Sequence, residues 1–161
     1  MIDEAARILH IMGVVVWIGH NWSNVVHTPV YRPILPAEPG AAAREVALAA
    51  SKREHGIFRY SSVVVLATGL FMLWQNDILV DTLTFSGPSM ALGLGAWLGL
   101  AMVLNLWGIM WPHQQKVLGF VAAHPSERLR CSRVTFLSSR MNTVLSVVTI
   151  MLMIAGAHGA L

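Results

Sequence analysis

Four apolar runs of roughly helical length are separated by polar segments, and proline or glycine stands at most of their edges. The runs predict helices over about 5–26, 56–74, 90–111 and 134–157. Stretches near twenty apolar residues are long enough to cross a bilayer. Pro29 and Pro33 end the first run and Pro112 the third, because proline lacks a backbone donor and clashes with the preceding turn. Between the first two runs, Pro33, Pro36, Pro39 and Gly40 precede an alanine-rich stretch, Ala41 to Ser51, that reads as a short interfacial helix. The expected architecture is all-α: one integral membrane four-helix bundle spanning 1–161, up-down-up-down.

Charge orients that bundle. Lys and Arg gather in the segments between runs one and two and between runs three and four. The loop from Gln75 to Ser89 holds Asp77 and Asp81 and no basic residue, and the N-terminal tail holds only Arg7. Translocated loops are poor in Lys and Arg, so both termini and the 75–89 loop are expected outside the cytoplasmic (inner) membrane. The start, Met-Ile-Asp-Glu-Ala-Ala-Arg, lacks the basic region and cleavage site of a signal peptide, so the first helix is expected to remain as an anchor.

Composition agrees: 55% of the 161 residues are hydrophobic and 12% charged, against about 25% charged in soluble domains. The mean hydropathy is +0.61. The pI near 9.6 reflects the basic loops, not a nucleic-acid surface, since no stacking platform or basic groove accompanies it. Cys131 is the single cysteine and reads as an inert thiol in the basic loop from Arg128 to Arg133; there is no disulfide framework and no C-x-x-C-H site for covalent haem. Gly95 and Gly99 form a G-x-x-x-G that lets helices approach closely. Trp22, Trp74 and Trp111 read as interface anchors, and Met151 and Met153 as packing.

Seven histidines carry the candidate chemistry. His10 near the start of run one and His158 at the end of run four fall at similar depth on the outer side, where two facing imidazoles could hold the iron of a b-type haem. His20 is deeper by about 15 Å at 1.5 Å per residue, and His27 shares its face. His27, His55 and His113 form an inner trio at helix ends, so two haem sites, one per leaflet, are geometrically allowed. The bland alternative for each is a neutral imidazole bonded to a neighbouring helix. His124, beside Pro125, reads as solvated. His20 with His27 could supply two nitrogens to copper or zinc, but no third ligand shares their turn. No Asp or Glu lies within a run, which argues against a proton relay and carboxylate chemistry in the membrane, and no phosphate loop, nucleophile elbow or dinucleotide fingerprint is present.

Several motifs resemble one family. Leu9-His10-Ile11-Met12-Gly13 with Trp17-Ile18-Gly19, His55-Gly56-Ile57-Phe58-Arg59-Tyr60 with Thr68-Gly69, Asn105 through Trp111-Pro112-His113-Gln114-Gln115-Lys116-Val117, and Arg140-Met141-Asn142-Thr143 with His158 are similar to segments of the membrane domain of cytochrome-c-linked urate oxidases. The first helix more loosely resembles HemJ-type protoporphyrinogen oxidases, small haem-binding bundles. The urate-oxidase membrane domain is longer and continues into a c-type cytochrome. The resemblance therefore implies a redox or haem b-binding relative, part of an oxidoreductase complex rather than a complete urate oxidase, with His10, His55 and His158 as the positions to watch. Its expected partners are the lipid bilayer, other membrane subunits, and a c-type cytochrome or quinone. The competing expectation is a non-catalytic accessory subunit that stabilises a larger membrane complex and uses its histidines structurally.

Overall fold

The computed structural model describes residues 1–31, 41–86 and 90–159, with backbone alone at 41–44. Pro33, Pro36, Pro39 and Gly40, read above as a connecting segment, lie outside the described residues, as do 87–89 at the end of the 75–89 loop. The described residues are helical with no strand: α1 (Ile2–His27), α2 (Ala41–Gln75), α3 (Leu79–Thr84), α4 (Met90–Leu104), a π-helical segment (Asn105–Met110), α5 (Trp111–Leu118) and α6 (Pro125–Ala157).

Three of these runs are long and apolar enough to cross a membrane: Glu45–Gln75, Met90–Leu118 and Pro125–Ala157. The first helix, expected as a fourth, is not among them. Its C-terminal half carries His20, Asn21, Asn24 and His27, which lower its hydropathy while leaving it helical.

Three boundaries differ from the sequence expectation, each for a local reason. The alanine-rich stretch is not a separate interfacial helix; α2 runs through it without a break. Lys52 to Gly56 changes polarity but contains no proline, and a lone glycine costs a helix only about 1 kcal/mol. Pro112 does not stop the third run. It occupies the first turn of α5, where its missing N–H is tolerated, and the wide π turn before it relieves the clash with the preceding carbonyls. The stop comes at Gly119, in the left-handed conformation at φ 79°. The last helix begins at Pro125 rather than about 134: His124 is its N-cap, accepting from the Ser126 backbone N–H, and Glu127 sits in the first turn. Cys131 is therefore a buried helical residue, not a loop thiol.

The helices α1 and α2 pack along one another, α6 packs against α4, the π segment and α5, and α1 also meets α6. Glycine sets the closest approaches. A Cβ on Gly156 would lie 2.7 Å from the Leu92 backbone nitrogen, and one on Gly95 would meet Met153 at 3.2 Å. Gly95 thus performs the packing read from the G-x-x-x-G, whereas Gly99 has only Thr149 at 4.0 Å.

Polarity is inverted relative to a soluble domain. Large apolar side chains such as Val15, Trp74, Leu104, Val144 and Met151 cover the outside, while Asn21, Ser62, Asn105, Asn142 and Ser146 are buried. Two amides tie α6 to the third run: Asn105 Nδ2 donates to Asn142 Oδ1 at 2.8 Å and to the Ser138 carbonyl at 3.1 Å, and Asn142 Nδ2 donates to the Met102 carbonyl at 3.1 Å. Beside them Trp17, Met102, Val103, Leu106 and Met110 form the apolar core.

This pair predicts a coupled loss. Asn105→Ala and Asn142→Ala should each lower the unfolding temperature in detergent, and the double variant should lose less than the sum. The coupling should be about 0.6 kcal/mol and no more than about 1.7 kcal/mol, the range for hydrogen bonds between membrane helices. Strict additivity in a thermal-unfolding cycle would show that the two amides do not act together.

Candidate functional site

The C-terminal half of α1 and its C-cap carry Trp17, His20, Asn21, Asn24, His27 and Thr28 at spacings of one, three and four, so the helical ones share one broad face. That face borders a cavity of about 410 Å³ whose other walls come from α2, the π segment, α5 and α6. The volume falls in the range of small-molecule sites, about 300–1,000 Å³. Phe58, Leu106, Met110, Trp111 and Phe136 supply apolar wall, and His20, His27, His55, Arg59 and Arg140 supply polar and cationic groups.

Each side chain has a definable seat. The ring of His20 stacks on Phe58 with centroids 3.4 Å apart and meets His55 edge-on at 5.9 Å. Its Nε2 accepts from Asn24 Nδ2 at 3.0 Å, and its Nδ1 lies 3.9 Å from Glu54. His27 and His55 use Nδ1 to donate to the carbonyls of Ser23 and Ser51, both at 2.8 Å, leaving each Nε2 as a lone-pair donor. A ring nitrogen anchored on a carbonyl is the usual orienting contact behind a metal-bound imidazole; it is also a common local bond within a helix.

The Arg59 guanidinium lies 3.7 Å over the Trp111 ring and 5.0 Å from those of Tyr60 and Trp107. Trp107 in turn donates from Nε1 to Ser62 Oγ at 3.2 Å, fixing α2 against the π segment. Trp111, expected as an interface anchor, therefore serves as a platform for a cation. Arg140 reaches from α6 to the Thr28 carbonyl at the end of α1.

The outer pair is seated differently. His10 lies at the α1–α2 interface, its Nδ1 3.0 Å from the Val65 carbonyl and 3.2 Å from Thr68 Oγ1, its ring over Gly69. His158 is the exposed C-cap of α6 and bonds the Ile154 carbonyl of its own helix at 2.8 Å. His113 is half-buried on α5 and bonds the Ile109 carbonyl at 2.6 Å. The structure thus brings together His20, His27 and His55, and leaves His10, His113 and His158 outside that cavity. Among the described residues no group of three His, Cys, Asp or Glu is placed to hold a metal ion, so His20 and His27 gain no third protein ligand for copper or zinc.

The histidines were legible from sequence, and Phe58, Arg59, Trp111, Gln114 and Arg140 stood in the quoted motifs, but Asn21 and Asn24 were not singled out. The available signal was the polar face of α1: at spacings of three and four it continues from His20 to His27 where an ordinary spanning helix would be apolar. Comparisons with family models, curated proteins and solved structures find no match to this chain.

The seat of His10 predicts a contrast between two glycines on neighbouring helices. A Cβ on Gly69 would lie 3.1 Å from His10 Cε1, while Gly19 has nothing within 4 Å. Gly69→Leu should destabilise the protein by about 1–3 kcal/mol through overpacking, and Gly19→Leu should stay within about 0.5 kcal/mol. Equal unfolding temperatures for the two variants would contradict the interface described.

Proposed function

We propose that this chain is a multi-pass membrane protein that binds b-type haem and works as a redox or electron-transfer subunit, with its cofactor in the cavity beside α1. The observation that carries the reading is the convergence of His27, His55, Arg59 and Arg140 on one largely apolar cavity. Bound there, haem supplies one-electron chemistry. The donor set suits it: two imidazoles with free Nε2, apolar and aromatic walls, and two guanidiniums opposite in charge to the carboxylates a haem carries. His20, engaged with Asn24 and stacked on Phe58, orients the wall. The apolar side chains exclude water, and the carbonyls of Ser23 and Ser51 hold the imidazoles in one tautomer. This reading favours His27 and His55 over the outer pair, His10 and His158, which similar depth in the bundle had put first.

The reading includes a topology: a four-helix, up-down-up-down bundle in the cytoplasmic membrane with both termini outside, the Lys- and Arg-rich ends inside and the cavity near that inner face. The contact of α1 with α6 supports such a closed ring. Native Cys131 is only 3% exposed, so introduced cysteines can be labelled over a low background. Cysteines at Asp77 and Asp81 should react with impermeant thiol reagents from outside, and those at Ala47 and Lys52 should not. The opposite pattern would reverse the orientation.

The cofactor claim is read by optical spectroscopy. Protein purified after haem-replete expression should show a Soret band. His27→Ala and His55→Ala should each convert or abolish a low-spin spectrum, because one iron–imidazole bond is lost. His124→Ala and His158→Ala should leave it unchanged. The absence of any Soret band from the wild-type protein would refute haem binding; a spectrum lost only in His10→Ala or His158→Ala would return the ligands to the outer pair.

A further inference from the structure

Three residues bordering the cavity carry nitrogen donors with no acceptor in reach: Trp17 through Nε1, Asn21 through Nδ2, and Arg59 through Nε and Nη1. Trp17 is 3% and Asn21 2% exposed, so bulk water does not serve them. Buried polar groups in folded proteins are almost always satisfied, and here three residues with unsatisfied donors, from two helices, line the same cavity. The Trp111 ring beneath Arg59 compensates the face of the guanidinium but not its in-plane N–H groups. Arg140 brings a second cation to the cavity. One carboxylate, Glu54, approaches His20 at 3.9 Å, and among the described residues no carboxylate pairs with either arginine.

Donors in excess, a surplus of positive charge and aromatic walls define the missing group. We infer that the cavity is a binding site for an organic carboxylate with a flat apolar body. A carboxylate only accepts, it matches the guanidinium fork in bidentate fashion, and its second oxygen can take an indole or amide N–H. Phe58, Trp111 and Phe136 suit a planar hydrocarbon part. The inference uses no histidine and is independent of any iron ligand. The carboxylate can come from two sources: a free aromatic acid, or the acid side arms of a porphyrin in the same cavity.

The test begins with 2-naphthoate and its uncharged analogue 2-naphthalenemethanol, titrated into the detergent-solubilised protein prepared without haem. Quenching of tryptophan fluorescence reports binding, since Trp17 and Trp111 line the site. Naphthoate should bind about tenfold tighter than the alcohol, or better, as a charge-assisted hydrogen bond implies. Arg59→Gln and, separately, Asn21→Leu should erase most of that preference and leave the alcohol's affinity unchanged. The comparison of acid with alcohol is made on the wild-type protein, so it holds even if a variant fails to fold. A second arm compares loading with haem and with haem dimethyl ester, whose acid arms are blocked. Naphthoate binding that survives haem loading assigns the site to a free acid. Binding blocked by haem, together with weaker loading of the ester in wild type but not in Arg59→Gln, assigns it to the porphyrin arms. Equal affinity for acid and alcohol, or an acid preference that persists in both variants, overturns the inference.

Discussion

Inside lipid a polar group has no water to turn to, so every buried amide, hydroxyl and backbone carbonyl must find a partner within the protein. The Asn105–Asn142 pair meets most of that demand at the centre of the helix packing, with Asn105 Oδ1 left without a partner. It joins the third run to α6 through three hydrogen bonds, two of them to backbone carbonyls. Since the outer surfaces of these helices are as apolar as the lipid they face, burial of hydrocarbon gives little reason for them to associate. Amide contacts and close glycine packing carry that role. The π segment that starts at Asn105 fits the same account. It widens the helix where the amide bridge is made and places Pro112 one turn later, where α-helix continues without a strained carbonyl.

How much of this could be read from the chain depends on which physical signal each element uses. Three spanning runs follow directly from apolar length, and Gly95 from its small-residue spacing. The misplaced boundaries all come from treating polarity or proline as a stop. At Lys52–Gly56 the change in polarity does not interrupt the helix, and hydrogen bonding continues through it, with His55 itself bonding the Ser51 carbonyl. At Pro112 the widened turn lies in backbone hydrogen bonding, which side-chain pattern does not encode. His124-Pro125-Ser126-Glu127 was an ordinary helix start, obscured by the charge of the arginines after it. The cavity was half visible. Its histidines stood out, His20 with His27 on one face and His27 with His55 in the trio at helix ends, whereas the asparagines joined them only once α1 was seen as a polar face rather than as a spanning run with interruptions.

The shortfall of α1 in hydropathy and the existence of the cavity are one fact. A helix facing lipid on all sides cannot carry His20, Asn21, Asn24 and His27 over two turns. One that leans on α2 and α6 can direct those groups inward. His10 belongs to the other half of the same helix and does a different job. Its Nδ1 meets the Val65 carbonyl and the Thr68 hydroxyl, and glycine at 69 leaves room for the ring. That contact fixes α1 on α2 in both position and rotation, and rotation decides whether the polar face downstream looks into the cavity or into lipid.

The two ends of the helix packing are therefore built on opposite rules. At the end bearing Gly93, Gly95 and Gly156, helices approach until a single added carbon would strike the Thr82 carbonyl, the Met153 side chain or the Leu92 backbone. At the end bearing Lys116, Arg128 and Arg140, the side chains are large, the π turn is wide, and the helices separate around the cavity. Contacts between α5 and α6 keep that end from collapsing or fraying: Lys116 pairs with Glu127 at 2.5 Å and Arg128 donates to the Val117 carbonyl at 2.9 Å. These two links close the far wall, while Arg140 on the Thr28 carbonyl closes the near one. The opening is thus held by charged groups at its rim, and of the donors left without acceptors Trp17 Nε1 belongs to the apolar core itself. A protein that needed only to fill lipid could have closed this end with glycine and alanine as it closes the other.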